Sequence, residues 1–229
     1  MKKLIIAIDG HAATGKSTQA KRLAKKLGYV YVDTGSMYRA ITLFAYQQEP
    51  IGEIDYNLLQ QSLDQIQIHF EGKADAQQIF LNGTEVTTAI RKPEINNLVS
   101  QVAAKEPIRF FLKKLQRELG ANKGIVMDGR DIGTVVFPEA ACKFFLTANV
   151  SVRAQRRYEE QLAQGHEESL EAVLTNLKSR DELDETRSVA PLKKAADAIE
   201  IDVSDQTIEE VFERLYACLL YTSPSPRDS

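Results

Sequence analysis

The chain has 229 residues, 43% of them hydrophobic and 27% charged, with two cysteines and no tryptophan. That is the composition of a globular protein large enough to fold without a disulfide or a structural metal. With 29 Lys and Arg against 32 Asp and Glu the formal net charge is −3, which argues against binding nucleic acid or an anionic membrane by bulk charge, so any anionic ligand must be held by local charge. Cys142 and Cys218 fit no metal-ligand spacing and read as inert thiols of a reducing compartment. The apolar run at the start is too short for a cleaved leader, and no stretch is long enough to span a bilayer, so the expected location is cytoplasmic.

In chain order, residues 4–8 are a β-branched run stopped by Asp9-Gly10, after which Ala20, Leu23, Ala24 and Leu27 recur at helical spacing until Gly28. Strand, glycine-bounded loop and helix are therefore predicted. Residues 29–32 read as a second strand and 36–47 as a helix ended by Pro50. Ile66, Ile68 and Phe70 then alternate with polar residues, as do residues 78–81, and Asn82-Gly83 signals a turn before 84–87. This predicts a small antiparallel insertion. Pro93 and Pro107 suit first helical positions; one helix carries Ile95, Leu98, Val99 and Val102, the next Ile108, Phe111, Leu112, Leu115 and Leu119.

A parallel-sheet rhythm resumes at 125–128 and 142–146, and Ser151 is expected to cap a helix bearing Arg153, Arg156 and Arg157. Leu170, Val173, Leu174 and Leu177 mark a further helix with a core-facing stripe. Residues 198–201 make a last strand, feeding a helix whose stripe is Ile208, Val211, Phe212 and Leu215. About five apolar strands separated by helices predict an α/β protein with an open parallel sheet flanked by helices. Residues 220–229, with two Ser-Pro steps, are expected to be a disordered, non-native tail outside a single domain at 1–219.

Gly10-His11-Ala12-Ala13-Thr14-Gly15-Lys16-Ser17 matches G-x-x-x-x-G-K-[ST] between the first strand and helix, where a phosphate-binding loop belongs. Glycines let backbone N–H groups converge on phosphate oxygens, the helix N-terminus adds partial positive charge, and Lys16 reaches the β- and γ-phosphates. Gly10 to Ser17 together with Thr18 are the candidate ATP-binding residues, with the His11 side chain expected to face solvent. Ser17 and Asp128, at the end of a predicted strand, are the candidate Mg²⁺ ligands.

Arginines cluster beside the loops in DTGSMYR (33–39), SQVA (100–103) with Arg109, DGRDIGTVVFP (128–138), and RSVAPL (187–192) preceded by Arg180 and Asp184. With the P-loop, these segments closely resemble the bacterial cytidylate kinase family over residues 3–217. The resemblance implies a P-loop NTPase fold with an insertion for the nucleoside monophosphate (NMP) at about 36–105 and a helical lid at about 153–187. It also implies phosphoryl transfer from ATP to CMP or dCMP by a monomer. Under it, Arg39 and Arg130 grip the CMP phosphate, since guanidinium forks match phosphate oxygens. Thr34, Arg109, Asp131 and Arg187 read cytosine; a carboxylate at 131 accepts from the N4 amine of cytosine and repels the O4 of uracil. Ser100, Arg180 and Asp184 hold sugar hydroxyls, and Tyr38 packs near the nucleotide. Lys16, Arg39, Arg130, Arg153 and Arg157 surround the transferring group. The acceptor is already an anionic phosphate oxygen, so no general base is needed. Two other readings are a kinase for another NMP such as UMP and an ATP-driven switch that transfers nothing. His69 and His166 fit no pattern.

Overall fold

A computed structural model describes residues 3–48, 54–163, 165 and 168–222. Pro50 and His166 lie outside them. The chain runs β1 (Ile5–Gly10), α1 (Lys16–Leu27), β2 (Val30–Asp33), α2 (Thr34–Gln48), α3 (Tyr56–Gln61), β3 (Ile68–Glu71), β4 (Gln78–Leu81), β5 (Thr84–Glu85), α4 (Pro93–Ala103), α5 (Glu106–Leu119), β6 (Ile125–Gly129), β7 (Cys142–Thr147), α6 (Val150–Ala163), α7 (Leu170–Thr186), β8 (Ile199–Asp202) and α8 (Ile208–Thr222).

Five strands form one parallel sheet in the order β2-β6-β1-β7-β8, and β3-β4-β5 form a separate antiparallel sheet. Every residue of β1 is buried. Successive residues point to opposite faces, so Ile5 and Ala7 pack with Met37, Ile41 and Leu112, while Ile6 and Ile8 pack with Ala20, Leu23 and Leu215. A smaller cluster of Ala12, Ala154, Val173 and Leu177 joins the P-loop to α6 and α7. Because β6 and β7 flank β1 on opposite sides, the crevice lies beyond its C-terminal end, where open parallel sheets bind ligands. Among the described residues, no helix is long and apolar enough to cross a membrane.

Several expectations shift. Helix α2 starts at Thr34 rather than residue 36, and Pro107 takes the second position of α5 because Glu106 precedes it. Ser151 lies inside α6, since the helix begins at Val150 and the Asn149 carbonyl already accepts from Arg153 N–H at 3.0 Å. Leu119, Leu170 and Ile208 are exposed rather than core, each at the end of its helical stripe. Helix α8 passes the expected boundary at 219, with Leu219 buried in the core and the helix continuing to Thr222; residues 223–229 lie outside the described part.

Candidate active site

A cleft of about 770 Å³ opens at the C-terminal ends of β1, β6 and β2. On one side it is lined by Ala12, Ala13, Thr14, Gly15, Lys16, Ser17 and Thr18 of the P-loop. On the other stand Thr34, Tyr38, Arg39, Ser100, Arg109, Arg130, Asp131, Arg180, Asp184 and Arg187. Asp128 lies between them. Gly10, His11 and Arg153 stand outside this wall, each for a reason visible in its contacts.

Gly10 is needed for close packing of strands. Its φ is +149°, and a Cβ there would sit 2.2 Å from the Leu146 carbonyl oxygen of β7. His11 turns away from the cleft: Nε2 is 2.7 Å from Glu185 Oε1 on α7, and the ring stands edge-on to Phe145. It is thus a tie between the P-loop and α7 rather than a solvent-facing side chain. Arg153 is buried, with Nη1 donating to Asp181 at 2.7 Å and Nε to the Ala148 carbonyl at 2.9 Å. Its guanidinium is a strut behind the P-loop, also facing the Ala12 carbonyl at 3.4 Å, and does not line the cleft as expected. Arg157 does line the cleft, alongside Arg156, whose Nη2 donates to the Val203 carbonyl at 2.7 Å.

The P-loop turns through left-handed conformations at Ala13 (φ 58°) and Gly15 (φ 80°), the latter at the N-cap of α1. Lys16 Nζ donates to the His11 carbonyl at 3.0 Å. Burial, with the nearby Arg130 cation, lowers its pKa to about 7, against the pull of Asp128 and Asp33. Ser17 Oγ donates to Asp128 Oδ2 at 2.7 Å, and the buried Tyr31 hydroxyl donates to Oδ1 at 3.0 Å. Burial and the Asp33 charge push the Asp128 carboxyl up to about 6. One carboxylate and one hydroxyl, both hard oxygens, suit Mg²⁺, which takes few protein ligands and fills its shell with phosphate oxygens and water.

The wall facing the P-loop is a network of buried ion pairs. Arg109 Nη2 donates to Asp131 Oδ2 at 2.6 Å, while Arg187 Nη2 lies 3.7 Å from Oδ1. The Arg109 guanidinium carbon lies 5.4 Å from the centre of the Tyr38 ring. Arg130 Nε donates to Asp184 Oδ2 at 2.7 Å, and Arg187 Nη1 faces Asp184 Oδ1 at 3.4 Å. Burial lowers the Arg180 pKa to about 10, with Arg130 adding to the effect. Arg39 Nε, Arg180 Nε and Arg187 Nη2 are buried donors without a hydrogen-bond partner. Buried donors in that state are costly unless a ligand supplies acceptors. Thr34 Oγ1 donates to the Asp128 carbonyl at 2.7 Å, which ties the start of α2 to β6.

Some of the cleft's lining carries no motif of its own, and within the 33–39 segment the part played by Asp33 shows only in its contacts. Asp33 accepts from Ser36 N–H at 3.0 Å and from Arg39 Nη2 at 3.0 Å, so it aims Arg39. Arg91, Asn96, Val203, Gln206, Thr207 and Ile208 are also part of the cleft wall. Ile208 was legible only as an apolar stripe position, and its place at the exposed start of α8 puts it in the wall.

Asp9, read in the sequence as a strand terminator, is buried and accepts the backbone N–H groups of Ile132 and Gly133. Burial raises its carboxyl from 3.8 to about 7, against those two hydrogen bonds. The folded state thus holds a proton that the unfolded chain releases, so this stability is full below pH 3.8 and lost as pH rises through about 7. Urea midpoints between about pH 5 and about pH 8 should fall more steeply for the wild-type protein than for Asp9→Asn, which has no proton to lose. Parallel profiles would show that Asp9 does not titrate in that window.

The sequence model of the family described as cytidylate kinase matches residues 6–219. The chain belongs to the cytidylate kinase family. It is 49% identical over 214 residues to the cytidylate kinase of Phocaeicola vulgatus, an alignment covering 92% of this chain and 93% of that protein. It is 48% identical over 214 residues to the cytidylate kinase of Bacillus subtilis, covering 93% and 95%. A crystal structure of an uncharacterized protein from Eubacterium ventriosum superposes with a TM-score of 0.52 at 13% identity, covering 96% of this chain and 99% of that one, which supports the fold alone. The α/β sheet and cleft described above are thus those of a cytidylate kinase family member.

Proposed function

We propose that the protein transfers the γ-phosphoryl group of ATP to CMP and dCMP, giving CDP and dCDP. The observation that carries this reading is a single cleft that joins a P-loop to Arg39, Arg130 and the Arg109–Asp131 pair. In it, Gly15, Lys16, Ser17 and Thr18 take the triphosphate, and Arg39 and Arg130 take the CMP phosphate. Asp131, oriented by Arg109 and Arg187, accepts from the cytosine amine. Ser100, Arg180 and Asp184 face the sugar, and Tyr38 packs beside the base. Arg180 also stands among Arg130, Arg39 and Arg157, so its charge bears on the phosphates as well. Ser17 and Asp128 would hold Mg²⁺, whose chemistry is to neutralise charge on the β- and γ-phosphates.

The chain's own work is positioning and charge neutralisation. Two phosphate groups repel each other, and the arginines bring them together while Lys16 stabilises charge that develops in transfer. We further propose one kinase domain through residue 219, acting as a monomer. The acceptor insertion at about 36–105 and the lid at about 153–187 close over the cleft and exclude water that would hydrolyse ATP.

The test is an ADP-release assay with ATP and Mg²⁺ against CMP, dCMP, UMP, AMP and GMP, with an acceptor-free control. Fast release is expected with CMP and dCMP and slow release otherwise. Equal rates with UMP would point to a broader NMP kinase, and acceptor-independent release to a P-loop ATPase or switch.

A further inference from the structure

One buried carboxylate beside the cleft has no part in the chemistry above. Asp9 is the next-to-last residue of β1, just before the P-loop, and is 4% exposed. Its Oδ1 accepts from Ile132 N–H at 2.9 Å and its Oδ2 from Gly133 N–H at 2.7 Å, 123 and 124 residues along the chain. Those N–H groups open a π-helical turn, Ile132–Val136. The first N–H groups of a helical segment have no acceptor within it and must be satisfied from outside.

The residue at the cap position of that turn is Asp131. Aspartate is among the strongest cap formers because its own carboxylate accepts such N–H groups. The Asp131 side chain makes no cap hydrogen bond, although its backbone carbonyl accepts from Val135 and Val136 N–H. Its carboxylate instead meets Arg109 at 2.6 Å and Arg187 at 3.7 Å, on the wall of the cleft. An acidic side chain at this position has two competing destinations, its own backbone or the cleft. Asp9 occupies the first.

We propose that Asp9 is a positioning residue for base selection: by capping the 132–136 turn from β1, it releases the Asp131 carboxylate to face the cleft. The inference rests on the reading of Asp131 as the group that accepts the cytosine amine. The surroundings agree with it. In the β1–β6 register Asp9 lies opposite Gly129, two residues before Asp131. Of the cations beside the turn, Arg117 donates to the Val136 and Val135 carbonyls at 2.9 and 3.1 Å, and Lys143 is held by Asp197 at 2.8 Å and by the Pro138 carbonyl. The Asp9 carboxylate is therefore committed to the turn.

The experiment, run above about pH 7 where the Asp9 carboxyl is ionised, measures the ratio of kcat/KM for CMP to that for UMP in the wild-type protein, Asp9→Asn, Asp131→Ala and the double variant, with the fold monitored by circular dichroism. Asparagine keeps the shape but sets an amide N–H₂ against one of the two N–H groups, so Asp131 turns back to cap its own turn. Asp9→Asn is expected to lower the ratio about tenfold, with ATP affinity changed less than about threefold, and to add nothing in the Asp131→Ala background. Destabilisation alone would lower both substrates together and leave the ratio where it was. Gly133→Ala gives a second, weaker route: its Cβ would press on the Lys143 side chain at 3.1 Å and touch Asp9 Oδ2 at 3.4 Å, crowding the same hydrogen bond, and a smaller shift in the same direction is expected. Should Asp131→Ala collapse the ratio while whichever of Asp9→Asn and Gly133→Ala fold retain it, the role of Asp9 is overturned and the base reading stands. An equal additional loss in the double variant would also overturn it, because Asp9 would then act independently of Asp131. An unchanged ratio in Asp131→Ala would remove the base reading itself, and this inference with it.

Discussion

Replacing Lys16 with alanine is expected to lower kcat for CMP phosphorylation by about 10²- to 10³-fold, the effect of removing a preorganised group from developing transition-state charge. The side chain is buried at the head of α1 and donates to the His11 carbonyl at 3.0 Å. It also has two carboxylates nearby, Asp128 and Asp33, to balance its charge. Its loss removes one hydrogen bond to a loop carbonyl, so the fold should survive while the charge facing the phosphates is gone. Arginine should not restore activity, because a planar fork cannot replace a compact ammonium in a loop closed this tightly. Rapid-quench turnover alongside thermal melts would check the result. A folded Lys16→Ala with near-normal kcat would overturn the P-loop assignment.

The second large effect is expected at Arg130, where methionine should reduce kcat/KM for CMP by about 10³-fold, as for other arginines that neutralise a transferring phosphoryl group. Two losses combine. The CMP phosphate loses a guanidinium, and Asp184 loses its 2.7 Å partner, leaving Arg187 at 3.4 Å and the nearby Arg180 charge. A buried carboxylate that loses a partner costs more than the net value of the pair, so Asp184 would shift and take the sugar-facing wall with it. ATP affinity measured by calorimetry without acceptor should change less than kcat/KM for CMP, since the Arg130 guanidinium pairs with Asp184 rather than with a P-loop residue. Lysine should recover only a small part of the activity, having charge but no fork. If kcat/KM for CMP in Arg130→Met stayed within a few-fold of wild type, Arg130 would not hold the acceptor phosphate.

The order of elements was legible because burial leaves a local trace. Residues 4–8 read as a buried strand since β1 is covered on both faces and must be apolar throughout. Asn82-Gly83 marked a hairpin because β4 and β5 need a turn with positive φ, and both residues adopt it. The candidate site was legible to the extent that its residues stand in short contiguous segments: the P-loop, 33–39, 128–131 and 184–187. Stripe ends were misjudged at Leu119, Leu170 and Ile208, since periodicity shows which face is apolar but not where its covering neighbour stops.

What the amino-acid sequence determined by itself is which loop segments carry the candidate phosphate- and base-binding groups, most of which line the cleft, since each loop's chemistry is written in adjacent residues. What only the tertiary structure decided is how those groups are held. Asp9 capping a turn more than 120 residues away, Arg153 spent on Asp181 rather than on substrate, and His11 tied to Glu185 are pairings between distant segments. Local periodicity carries no information about them, because the partners of a buried charge are chosen by the sheet that brings the strand ends together and by the cost of leaving that charge unpaired.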